Sequence, residues 1–216
     1  MTIALIPVKR LEESKSRLLP RLPAAHREAL TLAMLEDLLE ALSRTPGLDR
    51  IAVTTPDPQV AERAAAAGAE ILMRPEPGLN AALEDGIARL VREPGDDFLI
   101  VLGDVAGALA SDFERLLEAA GGGPAPAVWL VPSSDGGTSA LLQRPAACIP
   151  CCFGRDSAKR HREAALASQV PFHEIELASL AIDLDQPEDL AAFLRTEGGG
   201  RRTRALLEAT TGGGSR

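Results

Sequence analysis

Asp97-Phe-Leu-Ile-Val-Leu-Gly-Asp104 decides the fold. Five apolar residues run unbroken between an acid and a Gly-Asp pair, the pattern of a strand buried on both faces. Working upstream, Gly78-Leu-Asn80 opens a helix that reaches about Arg92, and Glu70–Met73 reads as a short strand. Before it, Pro56-Asp-Pro58 leads into an Ala-rich helix that Gly68 ends. Arg50–Thr55 is a further strand, and Pro23 starts a long helix with Leu30, Met34, Leu38 and Leu42 on one stripe. Ile3–Val8 is the first buried strand. Strands alternating with helices predict βαβ units and a mostly parallel sheet.

Downstream the spacing becomes less regular. Ser111 is the expected cap of the next helix. Ala127–Val131 and Ala140–Gln143 read as strands, and a basic helix follows from Ser157. Phe172–Leu177 and Ala181–Leu184 read as two more strands, and Gln186-Pro187 starts a helix to Leu194. The irregular spacing after Trp129 suggests an added hairpin or an antiparallel edge strand. The expected architecture is one three-layer α/β domain over residues 1–197, with a mostly parallel central sheet and a small antiparallel addition. Residues 198–216, rich in Gly and Arg, read as a short helix between flexible ends.

At 216 residues, 45% of them hydrophobic, the chain can bury one full core. A net charge of −8 argues against a nucleic-acid binder. No apolar run approaches a membrane span and no leader is visible, so a cytoplasmic protein is expected. Cys148, Cys151 and Cys152 have no second pair to complete a zinc site and read as packing residues.

Ligands of open α/β sheets sit outside the carboxyl ends of the strands. That rule places Lys9, Thr54, Asp104 and the Asp135 turn on one rim. Asp104 can hold Mg²⁺ there, or serve as a turn residue bonding its own backbone. Asp183 and Asp185, two apart on the expected strand, face the same way, which suits a shared cation. The alternative is that Asp185 only prepares the helix at Pro187. Lys9, Lys15 and Arg17 follow the first strand, where point charges and an Arg fork could grip phosphates, or could simply be solvated. The loop is not a P-loop.

Ser134-Asp-Gly-Gly-Thr-Ser139 and the turn at Gly154 form a second pair of signals. Glycine turns and a helix start both favour anions. Thr138, Ser139, Gly154 and Ser157 are therefore the candidate anion site, while His161 reads as a solvated helix residue rather than a general base.

In order, Ile6-Pro-Val-Lys9, Ser14-Lys-Ser-Arg-Leu18, Gly78-Leu-Asn80, Asp104, Asp135-Gly-Gly-Thr138, Phe153-Gly154, Ser157, His161 and Asp183-Leu-Asp185 resemble the guanylyltransferases of coenzyme F420 biosynthesis. Those enzymes belong to the nucleotide-diphospho-sugar transferase fold, and the likeness runs to about Leu194. It implies GMP transfer from GTP to 2-phospholactate, phosphoenolpyruvate or 3-phosphoglycerate, with release of pyrophosphate and a need for Mg²⁺. By this likeness Lys9, Lys15 and Arg17 grip the triphosphate, and Asn80 lies near the nucleoside. Asp104, Asp183 and Asp185 hold the metal, with Lys15 and Asp104 the catalytic pair. Thr138, Ser139, Gly154 and Ser157 bind the acid. The chain departs from the family pattern at Gly103-Asp-Val-Ala106, at Ser139 where Asn is usual, and at Cys151-Cys152. A sugar-1-phosphate or molybdopterin-type nucleotidyltransferase, and a non-catalytic nucleotide-binding relative, are the competing readings. Oligomeric state stays open, a homodimer included.

Overall fold

The computed structural model describes residues 1–18, 22–74, 78–181, 184–195 and 198–212; at 17, 187, 211 and 212 only the backbone is described. Seven strands form one sheet: β1 (Thr2–Pro7), β2 (Arg50–Thr55), β3 (Glu70–Met73), β4 (Asp97–Val101), β5 (Ala127–Pro132), β6 (Thr138–Arg144) and β7 (Phe172–Glu174). Their order is β3-β2-β1-β4-β6-β5-β7. β1 pairs in parallel with β2 and β4, β2 with β3, and β5 with β7, while β6 is antiparallel to both β4 and β5. The antiparallel strand is therefore interior, not at the edge. Hairpin β5–β6 is inserted between β4 and β7.

Helices cover both faces. α1 (Ala24–Ser43), α2 (Pro58–Ala66) and α4 (Ala110–Gly121) lie on one side, where Leu35, Leu38, Leu42, Val60, Phe113 and Leu116 pack on Ile6, Val53, Leu99 and Val101. α3 (Leu79–Leu90) and α5 (Ser157–Ala167) lie on the other, with Leu83, Ile87 and Ala165 against Leu5, Ile100 and Leu130. Successive strand residues serve opposite faces, so a strand covered on both is apolar throughout. That is why β4 reads as a continuous run. α3 crosses close to β1 at Gly86, where a Cβ would lie 2.5 Å from Leu5 Cδ2.

A third apolar corner joins Leu18, Leu30, Met34, Leu184, Phe193 and Leu207. It seats α6 (Pro187–Arg195) and α7 (Arg201–Gly212). α7 is the short helix expected within residues 198–216, and it is docked on α1. Asp37 of α1 accepts from the Arg202 N–H at 3.1 Å, and from the Thr203 N–H and hydroxyl at 2.9 Å each. A carboxylate on the first N–H groups of a helix satisfies orphan donors and complements the dipole.

Three other expectations change. α4 starts at Ala110, so Ser111 lies inside it; Asp112 accepts from the Leu109 N–H at 3.2 Å in place of a serine cap. β7 ends at Glu174 rather than Leu177. Of the strand expected over 181–184, Ala181 and Leu184 are irregular backbone and 182–183 lie outside the described residues. No helix among the described residues is long and apolar enough to cross a membrane.

Candidate active site

The parallel strands β1, β2, β3 and β4 end on one rim, and a cavity of about 420 Å³ opens there. Pro7, Val8 and Lys9 after β1, Thr54 and Thr55 at the end of β2, Arg74 after β3 and Leu102-Gly103-Asp104 after β4 all line it. Ser14, Lys15 and Asp185 complete its charged side. The volume lies within the range of small-molecule sites.

Lys15 sits at the centre of that side. Its backbone takes a positive φ of 53°, an uncommon state for a residue with a Cβ. Its side chain is buried, and its ammonium lies 2.9 Å from Asp185 Oδ1 and 3.7 Å from Asp104 Oδ2. Desolvating an ammonium is costly unless opposite charge surrounds it, and the two carboxylates supply that charge. Asp185 is not on a strand, contrary to the spacing argument. Its N–H, with that of Gln186, donates to Asp189 ahead of α6, at 3.0 and 2.6 Å. Asp183 and the side chain of Arg17 lie outside the described residues.

Two residues that the sequence reading missed support this half. Arg27 of α1 is buried, and its Nη1 donates to the carbonyl of Ser14 at 2.8 Å, holding the turn that carries Lys15. Arg74 lines the cavity and pairs with Asp85 at 2.9 Å. Its position after a parallel strand was the available signal, by the same rim rule that found Asp104. Arg27 was hidden among the ordinary charges of a helix start.

The anion-site candidates form a different kind of cluster. Asp135 is spent inside its own turn, accepting from the Ser133 hydroxyl at 2.5 Å and the Gly137 N–H at 2.9 Å. It does not line the cavity. Thr138 begins β6 and is buried, as is Ser157 at the first position of α5. The Ser157 hydroxyl lies 2.9 Å from Thr138 Oγ1. Ser139 falls where the β5–β6 register shifts, and its buried hydroxyl has no partner among the described residues. Its carbonyl accepts from Leu102, a cavity residue, at 3.0 Å. Gly154 has φ of 114°, a conformation L side chains rarely adopt, and lets the chain turn sharply into α5.

Asn80 does not line the cavity but ties the start of α3 to the turn before α5. It sits at the second residue of α3, and its amide donates to the Phe153 carbonyl at 3.1 Å and accepts from the Phe153 N–H at 2.8 Å. Both ends of the amide are thus engaged with the turn before α5.

His161 overturns its expectation. It is fully buried, not solvated. Its Nε2 accepts from the Cys152 N–H at 2.9 Å, its Nδ1 lies 3.1 Å from Thr138 Oγ1, and the Phe153 ring packs edge-on at 4.8 Å. Burial, helped by the Arg160 charge, pushes its pKa down to about 4, so the ring is neutral at pH 7. Burial also drives the Cys151 thiol up to about 12, which agrees with its reading as a packing residue.

Among the described residues no group of three or more His, Cys, Asp or Glu converges as a metal site. Asp104 and Asp185 do converge, on one ammonium. Mg²⁺ asks little more of a protein, taking one or two carboxylates and filling its shell with water and phosphate. The oxygen donors present fit such an ion.

The family model described as guanylyl transferase CofC like matches residues 2–211. A phosphoenolpyruvate guanylyltransferase of Rubrobacter xylanophilus is 42% identical over 196 residues, which cover 91% of this chain and 94% of that protein. A 3-phospho-D-glycerate guanylyltransferase of Colwellia psychrerythraea is 33% identical over 189 residues, covering 88% of this chain and 89% of the relative. In fold, the chain is similar to a Desulfovibrio desulfuricans G20 protein described as a nucleotide-diphospho-sugar transferase. The TM-score is 0.79 at 17% identity, with 98% of this chain and 95% of the other covered.

Proposed function

Because this chain belongs to the family of CofC-like guanylyl transferases, we propose that it moves GMP from GTP to a phosphorylated three-carbon acid in coenzyme F420 biosynthesis. The acid is 2-phospholactate, phosphoenolpyruvate or 3-phosphoglycerate. An oxygen of its phosphate attacks the α-phosphorus of GTP, the bond from that phosphorus to the β-bridging oxygen breaks, and pyrophosphate leaves. The electron pair of the broken bond stays on pyrophosphate, so no protein base is required.

The observation that carries this reading is the Lys15 ammonium held by Asp104 and Asp185 in the lining of the strand-end cavity. Transfer of this kind is governed by charge and alignment. Lys9, Lys15 and Arg17 grip the triphosphate, with Asn80 close to the nucleoside. Asp104, Asp183 and Asp185 would hold Mg²⁺, which would neutralise charge building on the phosphates. Thr138, Ser139, Gly154 and Ser157 take the phosphate and carboxylate of the acid. Hydroxyl donors and the start of α5 suit those anions.

The test is pyrophosphate release over the three acids, each with GTP and with ATP, in the presence of Mg²⁺. Release with GTP and one acid is expected. No release from any combination overturns the reading, and metal-dependent GTP binding without turnover would mark a non-catalytic relative.

A further inference from the structure

The network around Thr138 has a proton count with a consequence. A backbone N–H is always a donor, so the Cys152 N–H at 2.9 Å requires a bare lone pair on His161 Nε2. The neutral ring then carries its proton on Nδ1, and that N–H donates to Thr138 Oγ1 at 3.1 Å. Thr138 and Ser157 share one hydrogen bond at 2.9 Å and own two hydroxyl protons between them. One proton fills the shared bond. The histidine cannot take the other, because its nitrogen facing Thr138 is a donor. Among the described residues one hydroxyl proton of the pair is therefore left without an acceptor, in a site where both residues are buried. The opposite tautomer would accept from Thr138 and consume both protons. A buried donor left unpaired is costly, and a negatively charged oxygen is the partner that relieves it most strongly.

We propose that His161 is a positioning residue of the acceptor half: fixed with its proton on Nδ1, it holds Thr138 against the turn before α5 and reserves one hydroxyl proton of the Thr138–Ser157 pair for an anionic oxygen of the acid. This rests on the acceptor assignment proposed above. His161 reaches the site only through Thr138 and Cys152, and it does not move a proton in the reaction. Its two bonds tie the first residue of β6 to Cys152, two residues before the glycine turn at Gly154. Loss of the ring frees Thr138 to rotate and the turn to drift.

Two measurements test it. Long-range nitrogen–proton correlation spectra of the ¹⁵N-labelled protein read the tautomer without any turnover. A protonated Nδ1 and a bare Nε2 on His161 are expected, and the reverse overturns the proposal. Kinetics of His161→Gln, His161→Asn and His161→Leu then read its purpose. For His161→Leu the KM for the acid should rise about tenfold, the loss of one well-placed bond to a charged group, with KM for GTP within about twofold of wild type. His161→Asn, whose short amide can still donate to Thr138, should recover part of the acid KM. A merely structural role would lower kcat and thermal stability with both KM values unmoved or moved together and no recovery by Asn, and that pattern sinks the proposal. If the wild-type protein releases no pyrophosphate, the acceptor reading itself fails, while the tautomer measurement still decides the proton count.

Discussion

The two halves of the site are built on opposite principles. The half proposed for the nucleotide is an open cavity whose charges are held by other charges: Lys15 by Asp104 and Asp185, Arg74 by Asp85. The half proposed for the acceptor is closed, neutral and hydrogen-bonded, with Thr138, Ser157 and His161 all buried. A charged pocket can exchange one counter-ion for another when a ligand arrives. A buried neutral network must be arranged beforehand, because any unmet donor is penalised in place. The difference teaches where substitution should act: on rate in the first half, and on fit and folding in the second.

The largest effect expected is at the charged side. Asp104→Asn should lower pyrophosphate release by about 10³-fold, the scale of a lost electrostatic contact to a developing charge. Thermal unfolding should shift by only a few degrees, because Lys15 keeps Asp185. Unfolding that collapses along with activity would erase the contrast between the halves.

The next effect tests the buried side through pH. His161 has a native pKa of about 4, below the 6.5 of an unfolded histidine, with burial first and Arg160 second as the causes. As pH falls, the unfolded chain takes up the proton first. The stability contribution of the neutral ring is therefore complete above about pH 6.5 and is lost progressively down to about pH 4. The loss amounts to about 3 kcal/mol in all. Urea unfolding at pH 7 and at pH 4.5 should show a steeper fall for the wild type than for His161→Gln, which lacks this titration. Equal slopes would mean the ring is not shielded as described.

The smallest effect lies outside both halves. Thr203→Val removes the hydroxyl bond to Asp37 that helps fasten α7. It should cost about 1–2 kcal/mol in stability and leave both KM values unchanged. A shift in either KM would show that α7 acts on one half through α1, and would sharpen the comparison rather than leave α7 a bystander.

The sequence carried the strand-end cavity further than the Thr138 cluster. Buried strands ending in Thr54-Thr55 and Gly103-Asp104 are legible from apolar runs alone, and the rim rule then brings their ends together. The hairpin that reverses β6 was legible from the irregular spacing, but its place inside the sheet, between β4 and β7, was not, because an apolar run does not name its neighbours. His161 was misread because Lys159, Arg160 and Arg162 surround it. The available signal was the spacing of Ser157, His161 and Ala165, four apart on the one buried stripe of a mostly polar helix. The helix α7 was legible but its docking was not, because its anchor, Asp37, lies 166 residues earlier than Thr203. Contacts so distant in the chain leave no local pattern. The pairing of Lys15 with Asp185 escaped for the same reason.

That pairing spans 170 residues, whereas Thr138 meets Ser157 and His161 across 19 and 23. The closing entropy of long chain segments must be met before distant contacts form, so short-range clusters assemble and survive more readily. Lys15 can reach Asp185 only when the first strand and the segment before α6 are both in place. The ammonium between two carboxylates is thus a built-in indicator of the finished chain: an opening that separates those distant segments breaks it and leaves the short-range Thr138 network in place.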